Sequence, residues 1–153
     1  MRYRRRLSIA GAAVLAAAAM LPARAAAQTQ TVDVAIALAA DVSRSIDDEE
    51  FELQRKGYAA AVTSPQFVQA IQSGAHGAVA LSFIEWAGPG QQALVAKWMV
   101  IRDGEGATDF AKLLLAAPRS FAGRTAIGDG IDFAASQLAI CGLTAMRRVI
   151  DVS

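Results

Sequence analysis

Asp41-Val42-Ser43-Arg44-Ser45 puts an oxygen-bearing side chain at every second residue of a turn that follows an apolar run. Alternation turns Val42 and Arg44 away, so that one carboxylate and two hydroxyls converge on a point. Oxygen donors of this kind suit a hard cation such as Mg2+, Mn2+ or Ca2+ and not zinc. Cys141 is the one cysteine and His76 the one histidine, so no nitrogen and sulfur ligand set competes. Thr125 can add a further hydroxyl from a distant loop. A single carboxylate leaves a divalent cation under-neutralised, and such an ion would draw another anionic ligand from outside the chain. The competing reading uses the same oxygens differently: Asp41, Ser43 and Ser45 as a solvated turn capping the next helix, and Thr125 as a helix N-cap.

Loops so far apart in sequence can meet only if the elements between them return both to one edge. Residues 32–40 are apolar on both faces apart from Asp33, the pattern of a central strand covered on two sides. Asp47, Asp48, Glu49 and Glu50 place negative charge where a helix begins, with Asp47 or Asp48 near the rim of the site. Phe51, Leu53, Tyr58, Ala61 and Val62 give that helix an apolar stripe, and Pro65 resets it into a short helix over 66–72. Residues 78–86 read as a strand, with Ala78, Ala80, Ser82, Ile84 and Trp86 on one face and Val79, Leu81, Phe83 and Glu85 on the other. Gly88-Pro89-Gly90 is too short for a crossover, so a strand over 92–101 must return antiparallel as an edge. A loop over 103–106, a helix over 108–116, a loop over 118–124, a helix from about Thr125 to Leu138 and a strand over 147–153 complete the order. In that β-α-β-β-α-α-β path the Asp41 loop and Thr125 reach the same sheet edge, where open α/β folds put their sites.

Several other residues carry expectations. Glu85 should pair with Arg124 or another base, and Trp86 should pack against loops or serve as a contact patch. A helix should cover Trp98 and Met99 on the edge strand. Asp129 and Asp132 fall in the first turns of the last helix as capping or surface charges, with Asp129 a candidate to support the site through water. His76 should be exposed, and Cys141 a small buried hydrophobe.

The chain opens on Met1-Arg2-Tyr3-Arg4-Arg5-Arg6, an uncharged run over 7–21, and then Pro22-Ala23-Arg24-Ala25-Ala26-Ala27, which together read as a signal peptide cleaved after Ala27. The 15-residue uncharged run falls short of the roughly twenty residues a bilayer crossing needs. Both general and twin-arginine export fit this leader. Its removal takes five arginines from the 15 basic residues and leaves ten against 14 acidic ones, a charge near −4. That balance, without a basic cluster interleaved with aromatics, points away from nucleic acid. A lone cysteine excludes an internal disulfide, so the exported domain over 28–153 relies on its own core.

Asp41-x-Ser43-x-Ser45 followed by Gly123-Arg124-Thr125-Ala126-Ile127-Gly128 resembles the metal-ion-dependent adhesion site of von Willebrand factor type A domains. The blocks Ala40-Asp41-Val42-Ser43-Arg44-Ser45-Ile46-Asp47-Asp48-Glu49-Glu50-Phe51, Glu85-Trp86-Ala87-Gly88-Pro89-Gly90-Gln91, Phe121-Ala122-Gly123-Arg124-Thr125-Ala126-Ile127-Gly128 and Arg147-Arg148-Val149-Ile150-Asp151-Val152-Ser153 resemble the bacterial DUF1194 family of exported proteins within that superfamily. The resemblance implies an open, doubly wound Rossmann-like α/β sheet of the von Willebrand factor A type, incomplete at its C-terminus. It implies Asp41, Ser43, Ser45 and Thr125 as metal ligands. A further family aspartate would fall just past Ser153, and Asp151 is not its equivalent. The expectation is therefore of a truncated chain whose site lacks one of its carboxylates, with metal binding expected of a complete relative.

The function expected is an exported, divalent-cation-dependent protein-binding module of the periplasm or cell exterior, whose partner offers a carboxylate. The alternatives are a periplasmic divalent-metal hydrolase and a metal-free scaffold. The hydrolase lacks a positioned base near Ser43 and a phosphate-cradling glycine loop.

Overall fold

Four strands and four helices alternate along residues 30–153, the part of the chain that this computed structural model describes. The leader expected over 1–27 and its cleavage point lie outside the described residues. The order is β1 (Thr31–Asp41), α1 (Asp48–Val62), α2 (Pro65–Gln72), β2 (Val79–Trp86), β3 (Gln92–Ile101), α3 (Gly104–Ala116), α4 (Ile127–Ala139) and β4 (Thr144–Val152). The sheet runs β3-β2-β1-β4, with β1 parallel to β2 and β4 and with β3 antiparallel to β2. It is an alternating, Rossmann-like mixed sheet, consistent with the von Willebrand factor A type of fold.

The alternation in β1 and β2 divides the core in two. Leu38, Ala40, Leu81 and Phe83 face one cluster with Phe110 and Leu114 of α3 and Ala59 and Val62 of α1. Ala35, Ala37, Ala39, Ile84 and Trp86 face the other, beneath Ala134 and Leu138 of α4. Alanines dominate the inner positions of β1. At the edge, the Trp98 indole N–H donates to the Gln137 carbonyl of α4 (3.2 Å), while Met99 packs on the opposite layer.

Details depart from the periodicity. Leu53 is 68% exposed, and the buried positions of α1 are Arg55, Ala59 and Val62. Of the apolar stripe Phe51, Leu53, Tyr58, Ala61 and Val62, Leu53 and Ala61 face solvent, and Arg55 with its buried partner takes a place on the inner face. Helix α3 starts at Gly104 because the Asp103 carboxylate accepts from the Gly106 N–H at 2.9 Å, making a cap of what reads as a loop. Strand β4 starts at Thr144, which pairs with Thr31. Cys141 is half-buried, not enclosed. His76 is exposed, yet its backbone N–H donates to Asp33 (3.0 Å), as does that of Ala78 (3.2 Å), fastening the loop before β2. The His76 bond is the main reason the Asp33 carboxyl is held below its ordinary pKa.

Candidate functional site

At the top of the sheet β1 ends in a bend with its own fixed geometry. The Asp41 carboxylate accepts from the Ser43 N–H at 2.7 Å, and the Ile46 N–H returns to the Ser43 carbonyl at 3.0 Å. These bonds turn the chain back within six residues, 41–46, and leave the Ser43 and Ser45 hydroxyls 3.2 Å apart. The remote loop before α4 reaches the same place, where the Thr125 hydroxyl donates to the Ser43 hydroxyl at 3.0 Å across 82 residues of sequence. Backbone bonds pin that loop on either side of Thr125: Arg44 N–H to the Gly123 carbonyl and Ala126 N–H to the Ala87 carbonyl, each 2.8 Å. The structure therefore brings Ser43, Ser45 and Thr125 together, with Asp41 bonded to the Ser43 backbone. Ser43 is 1% exposed, whereas Ser45 and Thr125 face solvent, so the cluster opens on one side.

The capping readings do not describe these oxygens. Helix α1 is capped by Asp47, whose carboxylate accepts from the Glu50 N–H (2.8 Å) while the Glu50 carboxylate accepts from the Asp47 N–H (3.0 Å). Helix α4 has Ala126 at its N-cap and no side-chain cap. Asp129 and Asp132 are exposed on α4. Among the described residues no three His, Cys, Asp or Glu side chains gather to hold a metal. What gathers is three hydroxyls, those of Ser43, Ser45 and Thr125, with the Asp41 carboxylate bonded to the Ser43 backbone N–H.

Three features escape the sequence. The Arg119 guanidinium donates to the carbonyls of Val42 (2.9 Å), Ser43 (2.8 Å), Ile46 (2.7 Å) and Phe121 (3.0 Å), tying the bend to the loop that carries Thr125. Glu85 does pair with a base, as expected, but the base is Arg55 of α1, which the sequence did not single out, and Glu85 also accepts from the Ser120 N–H at 2.7 Å. Arg55 lies over the rings of Phe51 and Phe83, a desolvated position that an arginine takes when both its charge and its planar face find partners. Trp86 is 2% exposed, which rules out its use as a contact patch. Its indole N–H donates to the Ala39 carbonyl at 3.2 Å, and its ring lies against Gly130 of α4. A local pattern could have flagged none of the three, because the partners are backbone carbonyls or residues far along the chain.

A family profile described as "Protein of unknown function (DUF1194)" matches residues 30–153. No curated protein matches the chain. Among solved structures, three N-terminal domains of the type V pili tip protein Mfa5 from Porphyromonas gingivalis are similar at 14% identity and a TM-score of 0.49, over 79% of this chain and 19% of that one. The vWF domain of the same protein gives 15% identity and a TM-score of 0.47, over 78% of this chain and 36% of that one. The chain thus spans well under half the length of either.

Proposed function

We propose, from the premise that the chain belongs to the DUF1194 family, that it is an exported protein-binding module whose contact with its partner runs through a divalent cation. The observation that carries this reading is the 3.0 Å approach of the Thr125 hydroxyl to that of Ser43. Asp41, Ser43, Ser45 and Thr125 would hold Mg2+, or Mn2+ or Ca2+ in its place. When bound, the cation would supply positive charge that one protein carboxylate and neutral hydroxyls leave partly uncompensated. A carboxylate on a partner protein answers that charge, and the exposed side of the cluster leaves room for it. The setting proposed is the periplasm or cell exterior. Among the described residues no helix is long and apolar enough to cross a membrane.

Thermal unfolding with and without Mg2+ or Mn2+ tests the reading. An ion that binds only the folded chain adds about 2.7 kcal/mol at a hundred times its Kd, so the melting temperature should climb with ion concentration. Ser43→Ala combined with Ser45→Ala should remove the climb. An unchanged melting temperature in both ions would overturn the proposal.

A further inference from the structure

Beside the hydroxyl cluster lies a cavity of about 270 Å3 lined by Arg44, Ser45, Gly123, Arg124 and Thr125. Its lining holds two cationic side chains and no acid. The Arg44 N–H to Gly123 carbonyl bond, 2.8 Å, sets the two arginine-bearing segments side by side. Both arginines are exposed, and among the described residues neither side chain forms an ion pair. Of the acids that follow the bend, Asp47 and Glu50 are held in the reciprocal cap of α1, while Asp48, 3.5 Å from Arg119, and Glu49 are exposed. The two other arginines of this region, Arg55 and Arg119, are turned inward onto Glu85 and the backbone. Arg44 and Arg124 are thus the guanidinium groups left to face a ligand.

Resting on the reading that this edge receives a partner's carboxylate, we infer that the partner presents a second carboxylate, which Arg44 and Arg124 take. A guanidinium offers paired N–H donors matched to the two oxygens of a carboxylate, a geometry a diffuse positive field does not have. The ligand class is therefore an acidic peptide surface with two closely spaced acids, one directed to the cation and one to the arginines. Residues 28–153 carry ten basic against 14 acidic side chains. The two arginines of this pocket are therefore a local positive spot that an acidic partner would meet beside the hydroxyl cluster.

The test titrates the protein, by amide chemical shifts, with two capped peptides. One carries two aspartates separated by a glycine, and in the other the second aspartate is an asparagine. Each titration is run in Mg2+ and in chelator, on the native chain and on Arg44→Gln/Arg124→Gln. The expected result is roughly tenfold tighter binding of the diacid, since two exposed ion pairs each add modestly. That advantage should vanish in the double variant while the Mg2+ dependence of the monoacid survives. Equal affinity for the two peptides in the native chain, with Mg2+ dependence intact, would overturn the arginine inference and spare the cation reading. A diacid advantage that needs the arginines but not Mg2+ would uphold the inference and sink the cation. Absence of binding by either peptide in either condition would overturn both.

Discussion

Arg119 places one guanidinium among the carbonyls of Val42, Ser43, Ile46 and Phe121, and so fixes the bend to the loop that carries Thr125. Its planar fork reaches several acceptors at once, which a lysine ammonium on a flexible stem cannot reproduce. Arg119→Lys should keep the charge, lose some of these bonds and cost about 1–3 kcal/mol. Because the bonds are local to the bend, the amides of Ser43 to Ile46 should exchange with solvent faster well before the sheet opens. Hydrogen exchange measures this, and unchanged protection in the variant would mean that the bend's own turn bonds suffice. The four proposed ligands were legible in the sequence from their oxygen chemistry and spacing together with a family resemblance. Arg119 was not, since a side chain that binds backbone carbonyls leaves no pattern in its neighbours.

Helix α4 matters to the site because Thr125 sits just before its first turn. The helix is seated by Gly130, where an added Cβ would stand 2.7 Å from Cγ of Trp86. The indole is buried and held by its bond to the Ala39 carbonyl, so it has little room to withdraw. Gly130→Ala should gain up to about 1 kcal/mol of helix propensity. The overpacking should cost about 1–3 kcal/mol, leaving a net loss that a lower denaturation midpoint would register. A midpoint at or above that of the parent would show that α4 can lift from the sheet freely. Periodicity gave the existence and order of the elements but misplaced the start of α3 and of β4. The first was decided by the Asp103 cap and the second by pairing with β1.

For the molecule as a whole, the buried pair of Arg55 and Glu85 joins parts that are distant in sequence. Arg55 belongs to α1 and donates to the Leu114 carbonyl of α3, while Glu85 ends β2 and accepts from Ser120 in the loop that leads to Thr125. Both are at least 97% buried, so removing one partner strands the other's charge. Arg55→Met should destabilise the fold by about 3–5 kcal/mol. Adding Glu85→Gln to that variant should restore part of the loss, because the neutral amide can still accept from Ser120 without a buried charge. Equilibrium denaturation of the parent, the single and the double variant decides this. If the double variant is less stable than Arg55→Met, the loss does not come from a stranded carboxylate.

By itself the sequence determined the alternation of strands and helices, the antiparallel return of β3 and the arrival of the Asp41 and Thr125 loops at one edge. Strand periodicity and connection length are local quantities, and together they leave few topologies open. Only the tertiary structure decided that Arg55 is buried in place of Leu53, that Glu85 chooses Arg55 over Arg124, and that the Ser43 and Thr125 hydroxyls close to 3.0 Å. A buried charge is tolerable only where a partner from another part of the chain meets it. That partner's position is set by the packing of the whole sheet and its helices, to which no short stretch of residues has access.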